Sequence, residues 1–119
     1  MQRKGDGWEG WIGYNAPVRG EGTIDGRRWS FRARGEWWGL NIAENPGDDP
    51  EAVGLSVGGW IIEDRYGTKF DASWMTADAA WNLVLWAFEK LHQGKLKPSA
   101  PMHPVPQPLP PKARRGDSW

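Results

Sequence analysis

One dipeptide, Asp25-Gly26, constrains this chain more than any other feature, because it interrupts two segments in which apolar and polar residues alternate. An Asp-Gly pair supplies the two positive φ angles of a two-residue type I′ turn, so the segments on either side read as paired antiparallel strands. Gly35-Glu36 reads as a second tight turn, which sets Ala33 opposite Trp38, Phe31 opposite Leu40 and Trp29 opposite Ile42. All three pairs are apolar. A slip of one residue mixes the two faces, so this agreement fixes the register. The opposite face follows by parity and carries Arg28, Ser30, Arg32 and Arg34 on one strand and Trp37, Gly39 and Asn41 on the next.

The rest of the chain extends this pattern. Beyond the acidic loop Glu44-Asn-Pro-Gly-Asp-Asp-Pro-Glu51, residues 53–65 carry Gly58-Gly59 between apolar residues and predict another hairpin, and residues 66–74 predict a short edge strand. Residues 77–93 predict a helix, with Thr76 as N-cap, Asp78 at the positive end of the dipole and Gly94 as the stop. At about 100° per residue, Ala77, Ala80, Trp81, Val84, Phe88 and Leu91 form one apolar stripe that packs on the sheet. The expected fold is α+β: an antiparallel β-meander of four to five strands packed by one C-terminal helix, then a Pro-rich tail. Residues 1–97 read as a single domain with a Gly/Trp-rich N-terminal arm over residues 1–20. Residues 98–119 read as a Pro-rich basic tail in polyproline II form, because seven of the ten prolines fall between Pro98 and Pro111.

Composition narrows the chemistry. The 119 residues include ten tryptophans and no cysteine, which excludes a disulfide scaffold, a thiolate zinc site, an iron–sulfur cluster and a cysteine nucleophile. The formal net charge of zero conceals a succession of +3 over residues 1–35, −7 over 36–78 and +4 over 79–119. That distribution argues against a protein that coats duplex nucleic acid. There is no apolar run of the roughly 18 residues that a membrane span needs, and no apolar leader, so the chain reads as soluble, unexported and cytoplasmic. His92 and His103 lack metal-ligand spacing, Asp48, Asp49 and Glu51 read as a solvated turn, and no cofactor or metal is expected.

Most tryptophans read as core. Each one buried removes ~150 to 250 Å² from water, and Trp29, Trp38, Trp60 and Trp81 take that role. Two do not fit it. Trp37 falls on the arginine face, and Trp86 falls opposite the helix stripe among Asn82, Lys90 and Gln93. Either these two are covered by the tail or by the arm bearing Trp8 and Trp11, or they anchor a partner. The candidate binding residues are therefore Arg28, Arg32, Arg34, Trp37, Trp86 and Lys90.

Three functions compete for these residues. The first is a non-enzymatic module that binds a protein partner stoichiometrically, in the manner of phage- or plasmid-encoded inhibitors of host defence enzymes. The second is a single-stranded nucleic-acid binder, with arginines on phosphates and Trp37 stacked on a base. The third is a small ribonuclease-like hydrolase, with Glu63 or Asp64 as base, His92 as acid and Arg32 or Arg65 on phosphate. The exposed tryptophans also permit a homodimer. In the tail, Pro108-Leu-Pro-Pro111-Lys112 has the spacing that aromatic grooves recognise in polyproline II ligands.

Overall fold

A computed structural model describes residues 1–13 and 17–102. Its strands β1 (Gln2–Gly5), β2 (Trp8–Gly13), β3 (Val18–Ile24), β4 (Arg27–Arg34), β5 (Trp37–Ala43) and β6 (Gly59–Arg65) make one sheet in chain order, every neighbour antiparallel. The helix α1 (Ala77–His92) packs on one face, giving an α+β meander. Among the described residues no helix is long and apolar enough to cross a membrane.

The central hairpins take the register that their turns dictate. Ile24 pairs with Arg27, and Asp25 and Gly26 have φ of 52° and 81°, both positive as a type I′ turn requires. Trp29 faces Ile42, Phe31 faces Leu40 and Ala33 faces Trp38. The sheet has six strands rather than four or five, because residues expected as a free arm form β1 and β2. Their pattern is masked by glycines that serve the core. Gly10 and Gly22 pair across β2 and β3, and a Cβ on Gly10 would strike the Trp29 ring while one on Gly22 would strike the Glu9 carbonyl.

Aromatic rings fill the space between sheet and helix. The buried Trp29 and Trp81 meet edge to face at 5.7 Å and 74°, Phe88 lies 5.7 Å from Trp29, and Trp8 lies 5.4 Å from Trp81. The two fully buried indoles, Trp29 and Trp81, each keep a hydrogen-bond partner, as burial of a polar handle demands. Trp29 Nε1 donates to the carbonyls of Glu9 (3.3 Å) and Thr23 (3.2 Å), and Trp81 Nε1 donates to that of Met1 (3.1 Å). Trp38 is also buried, whereas Trp60 is only half-buried, with the Arg27 guanidinium 5.3 Å from its ring. On α1 the stripe Ala77, Ala80, Trp81, Val84 and Phe88 is buried together with Ala87, and the Thr76 hydroxyl accepts the Ala79 N–H at 3.1 Å.

Two expected elements are replaced by turns. Residues 53–58 do not form the first strand of a hairpin, because local hydrogen bonds coil the chain first. The Asp49 carboxylate caps a 3₁₀ turn, Pro50–Ala52, by accepting the Glu51 N–H at 2.9 Å, and the Ala52 carbonyl then accepts from Leu55, Ser56 and Val57. Residues 66–74 do not form an edge strand. Asp71 accepts the Thr68 N–H at 2.8 Å, a 3₁₀ turn follows over Ala72–Trp74, and the segment docks on the β4–β5 turn, with Ala72 N–H on the Gly35 carbonyl at 2.8 Å. Past the helix, Ser99 pairs with Gly59 and Met102 N–H reaches the Gly54 carbonyl at 3.2 Å. His103 and the Pro108–Lys112 motif lie outside the described residues.

Candidate binding site

Strand alternation places Arg28, Ser30, Arg32, Arg34, Trp37, Gly39 and Asn41 on the face turned away from α1. Neighbouring strands complete this outer face. β2 contributes Trp11, β3 sets Arg19 opposite Arg32 and Glu21 opposite Ser30, and β6 sets Glu63 opposite Gly39 and Arg65 opposite Trp37. Trp37 is 52% exposed, and the Arg65 guanidinium lies 5.1 Å from its ring centroid while pairing with Glu36 at 3.3 Å. The ring is thus held by a cation from β6, not by Arg32 or Arg34 of β4.

The acidic loop covers part of this face. Asn41 Nδ2 donates to the Pro50 carbonyl at 3.0 Å, which pins the 3₁₀ turn, and Glu51 pairs with Arg32 at 3.3 Å. Two hollows open beside that ion pair. The larger, about 340 Å³, is lined by Ser30, Arg32, Arg34, Trp37, Gly39, Asn41, Glu51 and Glu63, and the smaller, about 210 Å³, by Trp11, Arg19, Glu21, Arg32 and Glu51. Arg32 and Glu51 border both. Arg19 facing Arg32 is a like-charge cross-strand pair, unfavourable alone and offset here by the carboxylates around it. Exposed ion pairs of this kind are worth about 0 to 1 kcal/mol, so these side chains re-pair with a partner at small cost.

The six candidate residues form two surfaces, not one. Arg32, Arg34 and Trp37 line the larger hollow. Arg28 shares their face but stands six residues from Arg34 along β4, roughly 20 Å at about 3.3 Å per residue. Trp86, 46% exposed, and Lys90, whose ammonium lies 5.8 Å from its ring, belong to α1 on the other side of the sheet. Trp37 and Trp86 both stay about half exposed, and Trp8 of the N-terminal arm turns inward onto Trp81 and Phe88 instead of covering either.

The hydrolase constellation is not brought together. His92 Nε2 lies 2.7 Å from Asp25 Oδ2 at the β3–β4 turn, whereas Glu63, Arg32 and Arg65 project from the outer face and Asp64, opposite Trp38, stands toward the other end of the strands. Among the described residues no three His, Cys, Asp or Glu side chains are placed to hold a metal ion. The chain matches no protein-family model, no curated protein and no solved structure.

Sequence reading missed Arg19, Trp11 and the cover that Arg65 provides. Arg19 was within reach, since a turn pairing residues 24 and 27 also pairs 19 with 32. Arg65 was not, because the long connection between β5 and β6 carries no register signal.

Proposed function

We propose that the protein acts by stoichiometric binding of a protein partner on the outer face of the sheet, around Trp37 and the hollow beside it. The observation that carries this reading is Trp37 itself: half-exposed, clamped by Arg65, at the rim of a hollow of about 340 Å³ that mixes arginine, carboxylate and amide groups. Trp and Arg held in fixed positions are what binding hot spots use. The charge pattern favours protein over nucleic acid. Glu36 and Glu51 neutralise Arg65 and Arg32, and Glu21 and Glu63 stand on the same face, where phosphates are repelled.

Two measurements test the reading. A partner retained from the protein's native host by immobilised wild-type protein is expected to be lost with Trp37→Ala and kept with Trp86→Ala. Labelled single-stranded DNA and RNA are expected to show no tight binding at roughly 50 mM salt. Tight nucleic-acid binding that weakens steeply at roughly 200 mM salt, with retention indifferent to Trp37, overturns it.

A further inference from the structure

β6 is an edge strand, and hydrogen bonds at both ends fix which way its backbone groups point. Tyr66 N–H donates to the Glu36 carbonyl at 2.7 Å and Glu44 N–H to the Gly58 carbonyl at 3.0 Å, so the even-numbered residues face β5. Gly59 faces outward and bonds Ser99 through both its N–H (3.1 Å) and its carbonyl (2.6 Å). By the two-residue period of a strand, Ile61, Glu63 and Arg65 also aim their backbone groups away from the sheet. Arg65 N–H is taken by the Asp64 carboxylate at 2.7 Å. Among the described residues nothing bonds the outward groups of Ile61 and Glu63. The edge therefore already accepts one residue of extended chain, at Gly59, and stays open beyond it.

The side chains of these residues limit what can add. Ile61, Glu63 and Arg65 stand on the binding face, Glu63 lining the larger hollow and Arg65 over Trp37. A second copy of the chain fits poorly in the antiparallel registers centred on Ile62, Glu63 and Asp64. Pairing about Glu63 sets Glu63 against itself; pairing about Asp64 sets Glu63 opposite Arg65 twice, but it brings two Asp64 carboxylates together and needs the Arg65 N–H that Asp64 already holds. Pairing about Ile62 brings Arg65 to Gly59, where Ser99 already sits. A partner segment has no such symmetry to satisfy.

We propose that β6 takes up an extended segment of the partner protein as a seventh, antiparallel strand. A basic residue of that segment lies opposite Glu63, an acidic one opposite Arg65 and an aliphatic one opposite Ile61. Backbone bonds to Ile61 and Glu63 hold the segment, and the charge pattern selects it. The inference rests on the reading that a protein partner occupies this face, and it adds the manner of capture.

Thr-Glu-Thr-Lys-Thr-Val-Thr-amide carrying carboxyfluorescein on its N-terminal amine is the probe, read by anisotropy, with two controls: the peptide with Glu and Lys exchanged, and the parent N-methylated at Lys. Each control is expected to bind wild-type protein roughly tenfold more weakly, the scale of one lost backbone hydrogen bond or of cross-strand charge pairs turned from opposite to like. Glu63→Lys, with an unchanged circular dichroism spectrum, is expected to abolish the preference between parent and exchanged peptide, because each then meets one opposite and one like charge. Equal binding of all three peptides, or of none, while Trp37 still governs partner retention, overturns the added strand alone. Loss of the Trp37 dependence as well overturns the reading of the face. Self-association removed by Glu63→Lys in sedimentation gives the edge to a second copy instead.

Discussion

The two faces of the sheet use the same residue in opposite ways. On the helix side, Trp29 and Trp81 are buried, ring against ring, with each indole N–H bonded to a main-chain carbonyl. On the outer side, Trp11 and Trp37 are 53% and 52% exposed, and Trp37 rests under a guanidinium instead of a helix. A tryptophan count therefore says little about function. What separates the two roles is strand parity; glycine makes room on both faces, Gly10 for the buried Trp29 and Gly13 for the exposed Trp11.

That contrast breaks first under truncation. Trp81→Ala is expected to cost about 3 to 5 kcal/mol in urea denaturation, and Trp37→Ala less than about 1 kcal/mol. Comparable losses at both sites contradict the division between core and binding face. Glycine substitutions sharpen it. Gly22→Ala drives a Cβ into the Glu9 carbonyl and is expected to cost about 1 to 3 kcal/mol. At Gly39 a Cβ meets nothing nearer than Glu63 Cγ, at 3.6 Å, so Gly39→Ala is expected to stay within about 0.5 kcal/mol, while Gly39→Leu fills the hollow and reduces partner retention.

Smaller effects probe the helix side alone. Thr76→Ala removes the hydroxyl that caps the Ala79 N–H and is expected to cost about 1 kcal/mol by the same denaturation. His92→Ala removes an exposed contact with Asp25 and is expected to cost less than about 1 kcal/mol. A larger loss there gives the clasp between helix end and turn a structural weight that its exposure does not indicate.

The middle of the sheet and the helix were legible because their signals are local. Two tight turns pair β3 with β4 and β4 with β5, and a capped amphipathic stripe makes α1. The first strands were hidden although Asp6-Gly7 joins them, with Gly7 at a φ of 82°, because Gly10 stands where alternation calls for an apolar residue. The replaced hairpin and edge strand failed for a shared reason. Asp49 and Asp71 each accept a nearby N–H, and such local bonds turn the chain before a strand can start. That Arg28, Arg32, Arg34 and Trp37 share one face followed from the turn-set register, whereas Arg65 and Glu51 reach that face by connections with no fixed register.

Strand order that follows chain order also shapes the route to this structure. Each neighbouring pair of strands meets across its own connection, so the meander can assemble by successive local pairings with little loop-closure entropy. The helix breaks that economy. Its Trp81 indole bonds the Met1 carbonyl across a separation of 80 residues, and Trp8 closes over the same ring. The helix, made after all six strands, thus completes the hydrophobic layer beneath the first of them, and until it docks, the helix-side face of the sheet stays open to water.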